Sequence, residues 1–86
     1  MTTKLANSDH PYSFPVYRKY RGLETYFKIH GFDGFTEIKK MGDRYIISEI
    51  KAVQFPEKRL IQDMLELHEN RWQAVDKEIV EGLLAP

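Results

Sequence analysis

Six side chains between Tyr17 and His30 have types and spacing that could do chemistry. Tyr17, Lys19 and Arg21 occupy alternate positions, and so do Tyr26, Lys28 and His30. Alternate residues of an extended chain share a face, so each trio sets an aromatic ring beside cationic or ionisable groups. Such rings can stack on unpaired bases while the cations meet phosphates, which is how a single-stranded nucleic-acid binder works. The same alternation also describes the outer side of an ordinary strand, with lysine guarding an edge against aggregation. Overall charge weighs toward the second reading. Thirteen Lys and Arg balance thirteen Asp and Glu, which removes any general attraction to nucleic acid or anionic lipid.

Nothing else in the chain assembles into a reaction centre. His10, His30 and His68 are scattered and show no metal-ligand spacing with one another or with a carboxylate. His30 and Asp33 could form an acid/base pair, yet no third group is at hand to orient them, and a loop aspartate ordinarily serves its own turn. Gly31 and Gly34 lack the Lys-Ser/Thr that a phosphate cradle needs. Ser8, Ser13 and Ser48 lack a nucleophile-elbow context. There is no cysteine, which removes disulfides, thiolate metal sites and thiol nucleophiles together. The expectation is therefore a protein that is not an enzyme and uses no metal or cofactor.

The six residues lie on a hairpin. Val16 to Arg21 and Glu24 to His30 are rich in aromatic and β-branched residues and flank Gly22-Leu23, a glycine-first turn of type II′. That turn pairs Arg21 with Glu24, Tyr20 with Thr25, Lys19 with Tyr26, Arg18 with Phe27, Tyr17 with Lys28 and Val16 with Ile29. Val16, Tyr20, Phe27 and Ile29, with a lone Arg18, then share one face. The six candidate residues and Glu24 share the other, facing solvent or a partner. After a loop over Gly31 to Gly34, a second hairpin runs from Phe35 to Met41 and from Arg44 to Val53 around Gly42-Asp43. A two-residue loop there aligns Phe35, Met41, Ile46, Ile50 and Ala52, and puts Glu37 and Glu49 on opposite faces. A three-residue loop aligns Thr36 and Ile38 with Ile46, Ile50 and Ala52. In either register Ile46, Ile50 and Ala52 look inward, while Tyr45, Ile47 and Val53 suggest that the outer face is not fully wet.

Phe55 to Trp72 supplies the layer that covers the first face. Leu60, Ile61, Met64, Leu65, Leu67, His68 and Trp72 fall on one side of a helical wheel, with charged and amide residues opposite. Pro56 and Glu57 suit the first turn. The stripe could continue through Val75 and Ile79 to Leu83 as one long helix. The preferred reading breaks it near Glu69 or Asn70, runs Arg71 to Val75 extended beside the sheet, and starts a short helix, Lys77 to Leu84, capped by Asp76.

These parts predict one small α+β domain over residues 16–86 behind a flexible arm, residues 1–15, from which Leu5, Tyr12 and Phe14 could dock. Its antiparallel sheet has about four strands in two hairpins, with an amphipathic helix on one side and a short C-terminal helix. Eighty-six residues leave room for only a thin core, so association with a second copy is a reasonable expectation. No leader-like or membrane-spanning run is visible, which points to a soluble, cytoplasmic protein. Charge is split along the chain: residues 1–54 carry nine basic and six acidic side chains, residues 55–86 four and seven. The functional expectation is an interaction module that binds itself, as a homodimer, or another protein through a sheet edge or outer face. The alternative is single-stranded nucleic-acid binding through Tyr17, Lys19, Arg21, Tyr26, Lys28 and His30.

Overall fold

The computed structural model describes residues 11–85. The first ten residues of the expected arm, Leu5 among them, lie outside the described residues. Tyr12 and Phe14 pack against the core, and the Phe14 ring meets Phe32 edge-on at 5.1 Å.

Five strands form one antiparallel sheet: β1 (Val16–Tyr20), β2 (Thr25–Gly31), β3 (Gly34–Met41), β4 (Arg44–Lys51) and β5 (Trp72–Ala74), in the spatial order β4-β3-β2-β1-β5. The β1–β2 ladder has the expected register, from Lys19 with Tyr26 to Val16 with Ile29. Its two outermost expected pairs are absent from that ladder. Arg21 instead donates its backbone N–H to the Arg71 carbonyl, continuing the pairing of β1 with β5. The expected loop over Gly31 to Gly34 shrinks to Phe32-Asp33, because both glycines join strands. Between Ile29 and Gly31 the ladder slips by one residue, leaving His30 as the extra residue of a β-bulge.

Helix α1 (Phe55–Leu65) lies on one face. Ile61, Met64 and Leu65 bury against Val16, Phe27, Ile29, Phe35, Ala52 and Trp72. On its wet side Arg59 and Asp63, four residues apart, meet at 3.3 Å. The helix ends earlier than its apolar stripe implied. Leu67, Glu69 and Asn70 all have positive φ, near 55 to 59°, a left-handed backbone that no helix can continue through. A short 3₁₀ turn, His68–Asn70, leads into β5. His68 is therefore not part of a buried stripe; its side chain is 41% exposed beside Glu69. Trp72 is buried, but it reaches the core from β5, stacking on Tyr20 at 5.5 Å.

Helix α2 (Lys77–Leu84) begins and ends where expected. Asp76 starts it without a side-chain cap; its carbonyl oxygen accepts from the N–H groups of Ile79 and Val80. The helix covers the sheet face opposite α1. Val80 packs there on Tyr26 and Ile38, joined by Tyr17, Val75, Leu83 and Leu84. The sheet face expected to remain open is thus half covered from within the chain, and the molecule has two small cores in place of one.

Candidate interaction surface

The six candidate residues share the α2 face of the sheet, as their alternation implied, but α2 has taken up several of them. The Tyr17 hydroxyl donates to Glu81 Oε2 at 2.6 Å, and Lys28 Nζ meets the same oxygen at 2.7 Å. Tyr26 is buried beneath Val80. Lys19 Nζ lies 5.9 Å from the centre of the Tyr26 ring and donates to the Tyr20 carbonyl. Arg21 stays exposed in the turn. With α2 in place, the buried Tyr26 offers no free ring face on which a base could stack, and the Tyr17 hydroxyl is engaged by Glu81. The split of charge along the sequence is satisfied here, an acidic residue of the helical half sitting on a basic patch of the sheet.

These contacts shift two ionisations. Burial, followed by the hydrogen bond to Glu81, pushes the Tyr17 phenol from 10.0 up to about 12. The Glu81 carboxyl is held below its ordinary 4.5, first by the Lys28 ammonium and then by the Tyr17 hydroxyl, with burial opposing both. A depressed carboxyl stabilises the fold above its ordinary value, and that stabilisation is lost as pH falls through the lowered one. A raised phenol stabilises below 10 and loses its contribution as pH climbs toward 12. Docking of α2 is therefore expected to weaken at both extremes, below about pH 4.5 and above pH 10. Amide exchange of Val80 and Leu83 against pH measures this, and Glu81→Gln should flatten the acid arm.

His30 sits at the bulge and pairs neither with Asp33 nor with any metal-like cluster among the described residues. Its Nε2 lies 2.7 Å from Thr36 Oγ1, and the Thr36 hydroxyl donates to Glu49 Oε1 at 2.8 Å. Because the Thr36 proton is directed at Glu49, its oxygen accepts from His30, which places the imidazole proton on Nε2. Thr36 is buried while both of its partners are exposed, so the relay fixes three neighbouring strands to one another. Glu37 is on the opposite face from Glu49, as the two-residue register required.

The second hairpin holds the surface that alternation alone did not single out. The β3–β4 ladder runs unbroken from Met41 with Arg44 to Gly34 with Lys51 around the two-residue turn. Gly42 there has φ +67°, the first-position geometry of a type II′ turn. Ile46, expected inward, lies on the α1 face but is 49% exposed, because this half of the hairpin runs past both helices; Ile47 on the other face is 48% exposed. In such a hairpin the residues flanking the turn exchange hydrogen bonds and alternate pairs follow suit. Arg44, Ile46, Ser48 and Ile50 therefore direct their backbone groups to β3, and the Ala52 N–H bonded to Asp33 continues the series. Tyr45, Ile47, Glu49 and Lys51 turn theirs outward. No described residue pairs with that edge.

The two sheet edges differ in a way that bears on function. β5 is three residues long and turns at once into Asp76 and α2, the short covered kind of edge that resists pairing. β4 is eight residues long, has no proline or bulge, and carries Tyr45, Ile46 and Ile47 exposed. Beside its Lys51 end lies a shallow depression of about 390 Å³ lined by His30, Asp33, Glu49, Ile50 and Lys51 among others. No described helix is long and apolar enough to cross a membrane. Compared with known proteins, the chain matches no family model, no curated protein and no solved structure.

Proposed function

We propose that the protein is a small interaction module that works by strand addition, taking an extended segment of another chain along β4. The single observation that carries this reading is the eight-residue edge whose outward N–H and C=O groups have no partner among the described residues, flanked by exposed isoleucines on both faces. Main-chain hydrogen bonds along such an edge supply affinity, and side chains on alternate faces supply selectivity. An open edge of this length is an aggregation hazard unless something occupies it.

Proline at residue 47 tests the reading. The Ile47 N–H points away from β3, so Ile47→Pro removes an outward donor and spares the β3–β4 ladder. The wild type is expected to exceed the monomer mass in light scattering, or to bind an added capped peptide of the Arg44–Lys51 sequence. The variant is expected to do neither while keeping its far-ultraviolet circular dichroism. Association that survives Ile47→Pro, or a wild type that stays monomeric at millimolar concentration and ignores the peptide, would overturn it.

A further inference from the structure

Resting on that reading, we infer that the strand taken up by β4 is β4 of a second copy, paired antiparallel about a two-fold axis at Ile47. Such an axis, perpendicular to the sheet, keeps like faces together, so only registers shifted by two residues are available. With Ile47 opposite its twin, Tyr45 faces Glu49 and Asp43 faces Lys51 on both sides of the axis. On the α1 face, Ile46 then meets Ser48 and Arg44 meets Ile50.

Charge selects this register from its neighbours. Asp43 and Lys51 are both exposed, and neither makes an ion pair among the described residues. The chosen register brings Lys51 alongside the partner copy's Asp43 twice, Asp43 reaching it from the turn that precedes β4. Shifting one way places Asp43 opposite Glu49, a like-charge contact that opposes pairing. Shifting the other way leaves Asp43 opposite Val53 and buries Ile47 against Glu49.

Shape and backbone agree with it. The outward residues are the odd-numbered ones, so Ile47, Tyr45 and Glu49 form hydrogen-bonded pairs across the axis, giving about six main-chain bonds. The tip of one hairpin, which runs past its own helices, comes alongside the depression at the Lys51 end of the other. Two five-stranded sheets become one sheet of ten, with no long open edge left.

The chain has no native cysteine, so single cysteines report the register directly. Twin residues in a hydrogen-bonded pair have Cα atoms about 5.5 Å apart, within disulfide reach. Ile47→Cys is expected to give a covalent dimer under mild oxidation, and Ile46→Cys, whose twin lies diagonally two positions away, is expected to stay monomeric on a denaturing gel. Lys51→Asp should weaken association about tenfold, and Asp43→Lys in the same chain should restore it. Linkage in the Ile46→Cys variant, or in neither variant, for a protein whose association is still abolished by Ile47→Pro would overturn this pairing and leave the strand-addition reading intact. Association indifferent to Ile47→Pro would remove both, as would a monomer that ignores the peptide.

Discussion

An Arg18→Met protein is expected to lose about 2 to 3 kcal/mol of folding stability, the cost of stripping charged donors from buried acceptors. Arg18 is the one cation on the α1 face of β1, and its pattern position names no partner for it. Its Nε donates to the Met64 carbonyl at 2.8 Å, its Nη2 to Leu65 at 3.1 Å and its Nη1 to Tyr17 at 3.1 Å. Met64 and Leu65 end α1, where the helix dipole favours a positive charge. The Met64 carbonyl also accepts from the Leu67 N–H at 3.3 Å, so among the described residues the Leu65 carbonyl is the one that leans on Arg18 alone. No basic residue of α1 itself stands in its last turn, so a strand supplies what the helix does not. Burial pulls the guanidinium below its ordinary pKa, with Tyr12 opposing. Methionine keeps the length of the stem and deletes the donors, so cavity formation does not confuse the result. The urea midpoint should fall by about 2 M for a domain of this size. A fall of less than a quarter of that would mean that the carbonyls find other donors.

The second large effect is local. Val80→Asp is expected to undock α2 and bring the Tyr17 phenol back from about 12 toward 10, roughly a hundredfold change in its ionisation constant. Val80 is fully buried between Tyr26 and Ile38, and an unpaired carboxylate cannot remain there. The cost is limited to what α2 gains by docking, because the α1 core shares no buried residue with the α2 core. Ultraviolet titration of tyrosinate against pH reads the shift, and tryptophan emission, reporting Trp72 on the other side, should hardly move. A Tyr17 that still ionises near 12 in this variant would show that α2 does not cause the shift.

The parts of the fold legible in the sequence are those where a buried face repeats along paired strands. Val16, Phe27 and Ile29 carry the first register, although the turn is not the expected type II′. The Leu23 N–H bonds to the Tyr20 carbonyl at 3.4 Å, which places Gly22, at φ +78°, third in a turn that starts at Tyr20. The second hairpin stayed ambiguous because Lys39 to Ile47 pass beyond both helices, so burial imposes no alternation that could decide between loops. The end of α1 was hidden because Leu67, Glu69 and Asn70 adopt left-handed backbone without a glycine, and only the pairing of β1 with β5 beyond them explains why the chain turns there.

The candidate site was legible in composition and not in destination. Tyr17 and Lys28 do form a polar receptor, but the carboxylate on it comes from Glu81 of the same chain. The apolar period of Val80, Leu83 and Leu84 announced a helix and could not say which face it would cover. The imbalance of charge between the two halves carried that information, together with Ile38 and Ile47 on a face otherwise read as polar. The β4 edge showed in side-chain pattern only as the apolar Tyr45, Ile47 and Val53 on an outer face, since an edge is defined by backbone groups and by which strand happens to lie last.

Because the sheet separates the two cores, it also separates two optical reporters. The sole tryptophan reads the compartment under α1, together with Tyr12 and Tyr20, and the phenols of Tyr17 and Tyr26 read the one under α2. A sample carrying Tyr12→Phe and Tyr20→Phe, heated once and followed at both wavelengths, would record whether the compartments empty together or in turn.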